Sequence, residues 1–162
     1  MSTGQSDSRK AVREKPADAL PFAATIEIRD ACLCLHVQRA ARALARRFDD
    51  ALRPVGLTSG QFSLLTSLNR PEPPTISSVA DLLAMDRTTL TANLKPLERR
   101  GLLTATIDAE DRRSRRLSIT DAGRALLAKA YPIWKATHAD IDFLVAPGGD
   151  SLRKALISLT SC

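Results

Sequence analysis

Along most of this chain, apolar residues return at three- and four-residue steps. From about Ile28 to Arg53, Leu33, Val37, Ala41, Leu44, Phe48 and Leu52 form one stripe, with Arg39, Arg42, Arg46, Asp50 and Arg53 opposite. That spacing predicts one amphipathic helix, ended by Pro54 and Gly56. Such a helix exceeds the globular mean of about 11–12 residues, so packing beyond its own domain is expected. Thr58 opens a second helix, with Gln61 three residues on as a capping box and Phe62, Leu64, Leu65 and Leu68 as its apolar face. The prolines of Asn69 to Pro74 require a loop.

The period then becomes finer. Ser77 or Ser78 can cap a short helix through Leu83, with Val79, Leu82 and Leu83 inward. Ala84 and Met85 make a tight turn, and Asp86 caps a further helix to about Arg100, closed by Gly101 at C′. Leu102 to Ile107 alternates as a strand, Asp108 to Arg115 is polar, and Arg116 to Ile119 reads as the return strand. Thr120 caps a long helix to about Leu144. Pro147, Gly148 and Gly149 interrupt, and Ser151 to Leu159 is a last short helix. Residues Met1 to about Ala24 show no sustained period and read as a disordered arm.

Short helix, tight turn, helix and two-stranded hairpin, in that order, form a winged helix-turn-helix over roughly Thr75 to Thr120. The fold class expected is mainly α with a small β-hairpin wing: a winged reading head at 57–119 and helical regions at 25–56 and 120–162 for dimerisation. At 100° per residue, Leu90, Leu94 and Leu97 of the second helix face the core, and Thr88, Ala92, Lys95 and Arg99 face outward with Thr91 at the margin. That outer face is small, hydroxylated and basic, which suits a major groove; a merely solvated face more often carries long Glu and Lys side chains. Pro96 predicts a kink or a locally loosened turn. The hairpin tip carries Arg112, Arg113, Arg115 and Arg116 beside Asp108, Glu110 and Asp111. Alone, it could be a solvated loop of paired charges. Placed after a helix-turn-helix, it suits the DNA backbone or a narrow minor groove.

Charge agrees with this reading: the formal net charge is +6 over 162 residues, and the pI is about 9.7. A basic balance favours an anionic partner, nucleic acid or a membrane surface. No apolar run approaches the ~20 residues of a membrane span, and no secretory signal pattern is seen, so a cytoplasmic location is expected. A membrane-surface role for the basic first helix ranks last, because Asp49 and Asp50 share its polar stripe. Neither a zinc-site spacing, a phosphate loop, a Ser-His-Asp order nor an apolar carboxylate pair is present. The expectation is therefore no enzyme, no metal and no cofactor. His36 reads as a helix-surface or interface residue.

The segment resembles the multiple antibiotic resistance regulator (MarR) family. The residues that carry the resemblance are Leu57-Thr58 with Gln61-Phe62, Met85 to Thr91, Leu97 to Leu102, Asp111-Arg112-Arg113, and Leu117 to Arg124. The resemblance implies a two-fold homodimer, its first helix and last two helices intertwined, placing two heads on a pseudo-palindromic duplex. It implies a repressor released by a small, often aromatic or phenolic, ligand held between the dimer region and the head. It also implies that Arg113 is the wing-tip arginine and that Asp111 braces the wing by ion pairing. The DNA-binding set expected is Ser77, Arg87, Thr88, Thr89, Thr91, Ala92, Lys95, Arg112, Arg113 and Arg115.

One branch of that family, the organic hydroperoxide resistance regulators, senses peroxide with a cysteine near the start of the first helix, and Cys34 falls at the matching place. The branch has tyrosines where Gln38 and Phe48 stand here. A thiol-based regulator using Cys34 is thus an alternative, against the plainer reading of Cys34 as a small buried hydrophobe. Two residues apart on one helix, Cys32 and Cys34 are expected to face apart and not to bond; Cys162 could supply a resolving thiol. An alternative of another class is a protein-interaction module on a winged-helix scaffold.

Overall fold

The structure, a computed structural model, describes residues 19–109, 111–145 and 148–160. The chain divides after Ala40, and the two parts are taken in turn. The first contains helix α1 (Phe22–Ala31) and the start of α2 (Leu33–Leu52). The single helix expected from Ile28 onward is therefore two. Cys32 breaks it with an extended backbone, φ −71° and ψ 103°. Helix α1 also begins inside the range expected to be a disordered arm; residues 1–18 lie outside the described residues. No residue of α1 is buried, so its first turns carry no core-facing stripe to mark them in the sequence.

The second part starts within α2 and runs through α3 (Ser59–Ser67), α4 (Ile76–Leu82), α5 (Arg87–Arg99), strands β1 (Leu103–Ile107) and β2 (Arg115–Ile119), α6 (Asp121–Leu144) and α7 (Gly149–Thr160). Thr58 caps α3 with the expected reciprocal box: its oxygen accepts from the Gln61 amide, and the Gln61 side chain accepts from the Thr58 amide, both at 3.2 Å. Helix α4 starts earlier than expected. Thr75, not Ser77 or Ser78, is its cap, accepting from the Ser78 amide at 3.1 Å. The reason is packing: Ile76 belongs to the apolar cluster and is drawn into the first turn.

Helices α4 and α5 end in the same geometry. In α5, the Gly101 amide donates to Glu98 and the Leu102 amide to Leu97, a Schellman closure with Gly101 at φ +67°. In α4, the Ala84 amide donates to Asp81 and the Met85 amide to Ala80, with Ala84 at φ +49°. A side chain seldom adopts that conformation. The tight turn is held by these two bonds despite it.

The strands pair antiparallel, from Leu103 opposite Ile119 to Ile107 opposite Arg115. Each sends alternate residues inward, so Leu103, Leu117 and Ile119 join the core. That core unites Leu52, Leu64, Leu65, Leu68, Val79, Leu90, Leu94 and Leu97 from the surrounding helices. Burial of this shared apolar surface joins α5 to the hairpin. Pro96 lies inside α5, which nonetheless continues to Arg99. A second internal proline, Pro132 in α6, was not singled out in the sequence.

Candidate nucleic-acid interface

The Leu90, Leu94 and Leu97 face of α5 is buried, with 0, 5 and 0% exposure. Thr88, Thr91, Ala92 and Lys95 are consequently exposed on the other side. The helix is set by Asp86, whose Oδ1 accepts from the Thr89 amide at 2.8 Å and whose Oδ2 accepts from the Thr89 hydroxyl at 2.6 Å. The Thr89 hydroxyl, then its amide, hold the Asp86 carboxyl below the usual carboxylate range.

These bonds sort the threonines. Thr89 was expected to face DNA, but its hydroxyl proton is committed to the cap. Thr91 donates to the Arg87 carbonyl at 2.7 Å, leaving its methyl and an oxygen lone pair outward. Among the described residues, Thr88 alone of the three has a hydroxyl with no partner. It lines a shallow groove on α5 with Arg87, Thr91, Ala92 and Lys95.

A deeper cleft of about 580 Å³ opens between α5, the start of α4 and the hairpin. Ser77, Arg87, Thr91, Lys95, Asp111, Arg113 and Arg115 all line it. Residues far apart in sequence are thus gathered on one surface, with four cations against Glu98 and Asp111. Arg112 is exposed but lines neither groove. Glu98 was missed, although its place three residues after Lys95 puts it beside that side chain on the helix.

The hairpin is braced differently from expectation. Among the described residues, Asp111 forms no ion pair. Its Oδ1 accepts from the Arg113 amide at 2.9 Å, and its carbonyl accepts from the Ser114 amide at 2.8 Å. It shapes the tip through the backbone. The ion pair belongs to Asp108 and Arg116, at 2.7 Å. Glu110 lies outside the described residues.

Away from this surface, Phe62 stacks on Trp134 with centroids 6.2 Å apart, and Tyr131 stacks on Trp134 at 6.1 Å. A hollow of about 330 Å³ lies beside them, lined by Phe62, Thr66, Asn69, Arg124, Leu127 and Tyr131 among others. Arg124 donates to the Asn69 side-chain oxygen there at 2.9 Å.

In the single chain Cys34 is exposed, and its Sγ accepts from the Gln38 side-chain Nε2 at 3.2 Å. Gln38 is the residue standing where the peroxide-sensing branch has tyrosine. Cys32 lies at the helix break, half-buried, so the expectation that both cysteines share one helix does not hold. His36 is exposed and its Nδ1 donates to the Cys32 carbonyl at 2.9 Å. Cys162 lies outside the described residues. Among the described residues, no group of three or more His, Cys, Asp or Glu could hold a metal, and no helix is long and apolar enough to cross a membrane.

The model of the MarR family matches residues 57–114, the stretch that builds this head. The organic hydroperoxide resistance transcriptional regulator of Bacillus subtilis is 32% identical over 62% of this chain and 69% of its own length. The chain belongs to the MarR family. Among solved members, the Mycobacterium tuberculosis regulator MosR in complex with DNA is 38% identical, with TM-score 0.74 over 80% of this chain and 94% of that one. The repressor CouR is similar both on a 23-mer DNA duplex (33% identity, TM-score 0.66, 88% of this chain and 96% of that one) and with p-coumaroyl-CoA (29%, 0.71, 87% and 97%). The helices and hairpin described above are the winged helix of these MarR regulators, and the chain is a transcription regulator of that family.

Proposed function

We propose that this MarR regulator binds a pseudo-palindromic DNA duplex as a homodimer and represses transcription. The α5 face of Thr88, Thr91, Ala92 and Lys95 enters a major groove. Arg112, Arg113 and Arg115 of the hairpin lie on the backbone or in the adjoining minor groove, and Ser77 and Arg87 flank them. The observation that carries this is the cleft uniting Arg87, Lys95, Arg113 and Arg115 beside the exposed α5 face. Residues 57–119 serve as the reading head, and 25–56 with 120–162 as the dimerisation region. Exposed apolar side chains suit that division: Ile28 on α1, Phe143 and Leu144 at the end of α6, Leu152 and Leu156 on α7. A small aromatic or phenolic ligand, taken up beside Phe62, Tyr131 and Arg124, releases the DNA. We assign no enzymatic activity to the chain, and a cytoplasmic site of action.

Salt dependence tests the reading. If the four cations of the cleft each neutralise one phosphate, a head contributes about 3.6 to the slope of log K against log salt, and two heads about 7. Binding to a duplex from the protein's own promoter should follow that slope, and Arg113→Ala should lower it by about 2 while the dimer stays intact. A protein-interaction module predicts little salt effect. Absence of salt-sensitive duplex binding sinks the regulator reading.

A second reading concerns the signal. The Cys34 Sγ, which accepts a hydrogen bond from the Gln38 side chain, supports oxidation by an organic hydroperoxide as an alternative trigger. Cumene hydroperoxide should then release the wild-type protein from DNA but not Cys34→Ser. Equal behaviour of the two proteins removes the redox reading.

A further inference from the structure

Asp108 is a buried acid in a hairpin whose exposed tip is basic. It is a carboxylate directly after β1, and it is only 5% exposed. Burying a charge is costly unless a partner neutralises it. Here the partner is Arg116, whose Nε approaches Asp108 Oδ2 at 2.7 Å. The same guanidinium donates from Nη1 to the Pro73 carbonyl at 3.1 Å. One side chain therefore joins the exit of β1, strand β2 and the proline loop before α4.

The backbone repeats the connection. Thr75 and Arg116 form a β-bridge, the Leu117 amide donates to the Pro74 carbonyl at 2.9 Å, and the Asp108 amide donates to Ser114 at 3.0 Å. Arg112, Arg113 and Arg115 are exposed, whereas Arg116 is half-buried. Its donors are aimed inward.

From this we infer that Arg116 and Asp108 are positioning residues for DNA binding, not DNA contacts. An isolated two-stranded hairpin is marginal in water, and the arginines of this tip repel one another. The clamp to the proline loop fixes where Arg113 and Arg115 stand relative to α5. Arginine suits the task because its planar fork serves two acceptors at fixed angles; lysine is a point charge on a flexible stem. The inference rests on the hairpin being a DNA-binding wing.

The test uses the full chain, a labelled duplex from its own promoter, and Asp108→Asn, Arg116→Lys and Arg113→Ala alone and combined. Charge alone predicts that Asp108→Asn tightens DNA binding, since it removes a negative group. Positioning predicts the opposite sign, a loss of about tenfold, with a similar loss for Arg116→Lys at unchanged net charge. It also predicts that Arg116→Lys costs less once Arg113 is Ala than it does alone, because one of the contacts that the clamp positions is already gone. Hydrogen exchange across residues 107–115 should quicken in Asp108→Asn and Arg116→Lys while α5 stays protected. Tighter or unchanged binding by Asp108→Asn overturns the inference, as does a full additive loss with Arg113→Ala. If even the wild type ignores the duplex, the regulator reading falls, and the exchange experiment still tests the clamp: unchanged hairpin exchange overturns it.

Discussion

Gly123 sits in the first turn of α6, where alanine should be the better helix former by about 1 kcal/mol. The structure predicts that Gly123→Ala is nonetheless harmful. A methyl carbon there would fall well inside contact distance of the Leu102 carbonyl oxygen, 2.7 Å from Ile119 Cγ1 and 3.2 Å from the Leu102 carbonyl carbon. Neither neighbour can move freely. The Leu102 carbonyl accepts from the Thr120 amide at 3.1 Å, and Ile119 is a core residue of β2. Overpacking of this kind costs about 1–3 kcal/mol, and the displaced hydrogen bond adds about 1. Against the helix gain, the net loss is about 2 kcal/mol, or roughly 4–8 °C in Tm for a chain of this size. Thermal and urea unfolding followed by circular dichroism, at one fixed protein concentration, measure it. A variant as stable as wild type, or more so, would show that propensity governs the site and refute the packing argument.

Asp86 predicts an acid dependence. Its folded pKa is lowered by Thr89, so its contribution is present above the unfolded carboxylate value and lost as pH falls through the folded one. The urea midpoints of wild type and Asp86→Ala should differ at pH 7 and converge in acid; a gap that ignores pH rejects the cap as its origin. On α5, Thr88→Val should weaken operator binding about tenfold, consistent with loss of one polar contact, and Thr91→Val should change it less. Equal losses, read by fluorescence anisotropy, would mean that the Thr91 bond to Arg87 opens on DNA.

Most of the head was legible because local chemistry and tertiary packing agree there. Thr58 with Gln61, Asp86, Gly101 and Thr120 each mark a helix end by a side chain or a backbone need that no neighbour overrides. The inward leucines of α5 follow from their period. What escaped was decided at long range. Thr75 took the cap from Ser77 or Ser78 because Ile76 is pulled into the core. Asp108, not Asp111, took the arginine because β pairing sets it near Arg116, eight positions later. The break at Cys32 had no proline or glycine to announce it.

The threonines of α5 show how capping and reading compete for the same atoms. A groove-facing helix gains from small hydroxylated residues, but such residues also bond their own backbone. Thr89 is drawn to Asp86 and Thr91 to Arg87, and both bonds lie within the first turns of the helix. The amide dipoles at that end already favour anions, so fixing it well serves phosphate contacts even as it removes hydroxyl donors. The donors left on this face are then the Thr88 hydroxyl, the Lys95 ammonium and the Arg87 guanidinium, with the Ala92 and Thr91 methyls able to touch thymine methyls. On the proposed reading, the spacing of two heads and the hairpin's choice of groove width add to the selectivity of α5, and the anchoring of the hairpin then bears on sequence preference as well as on affinity.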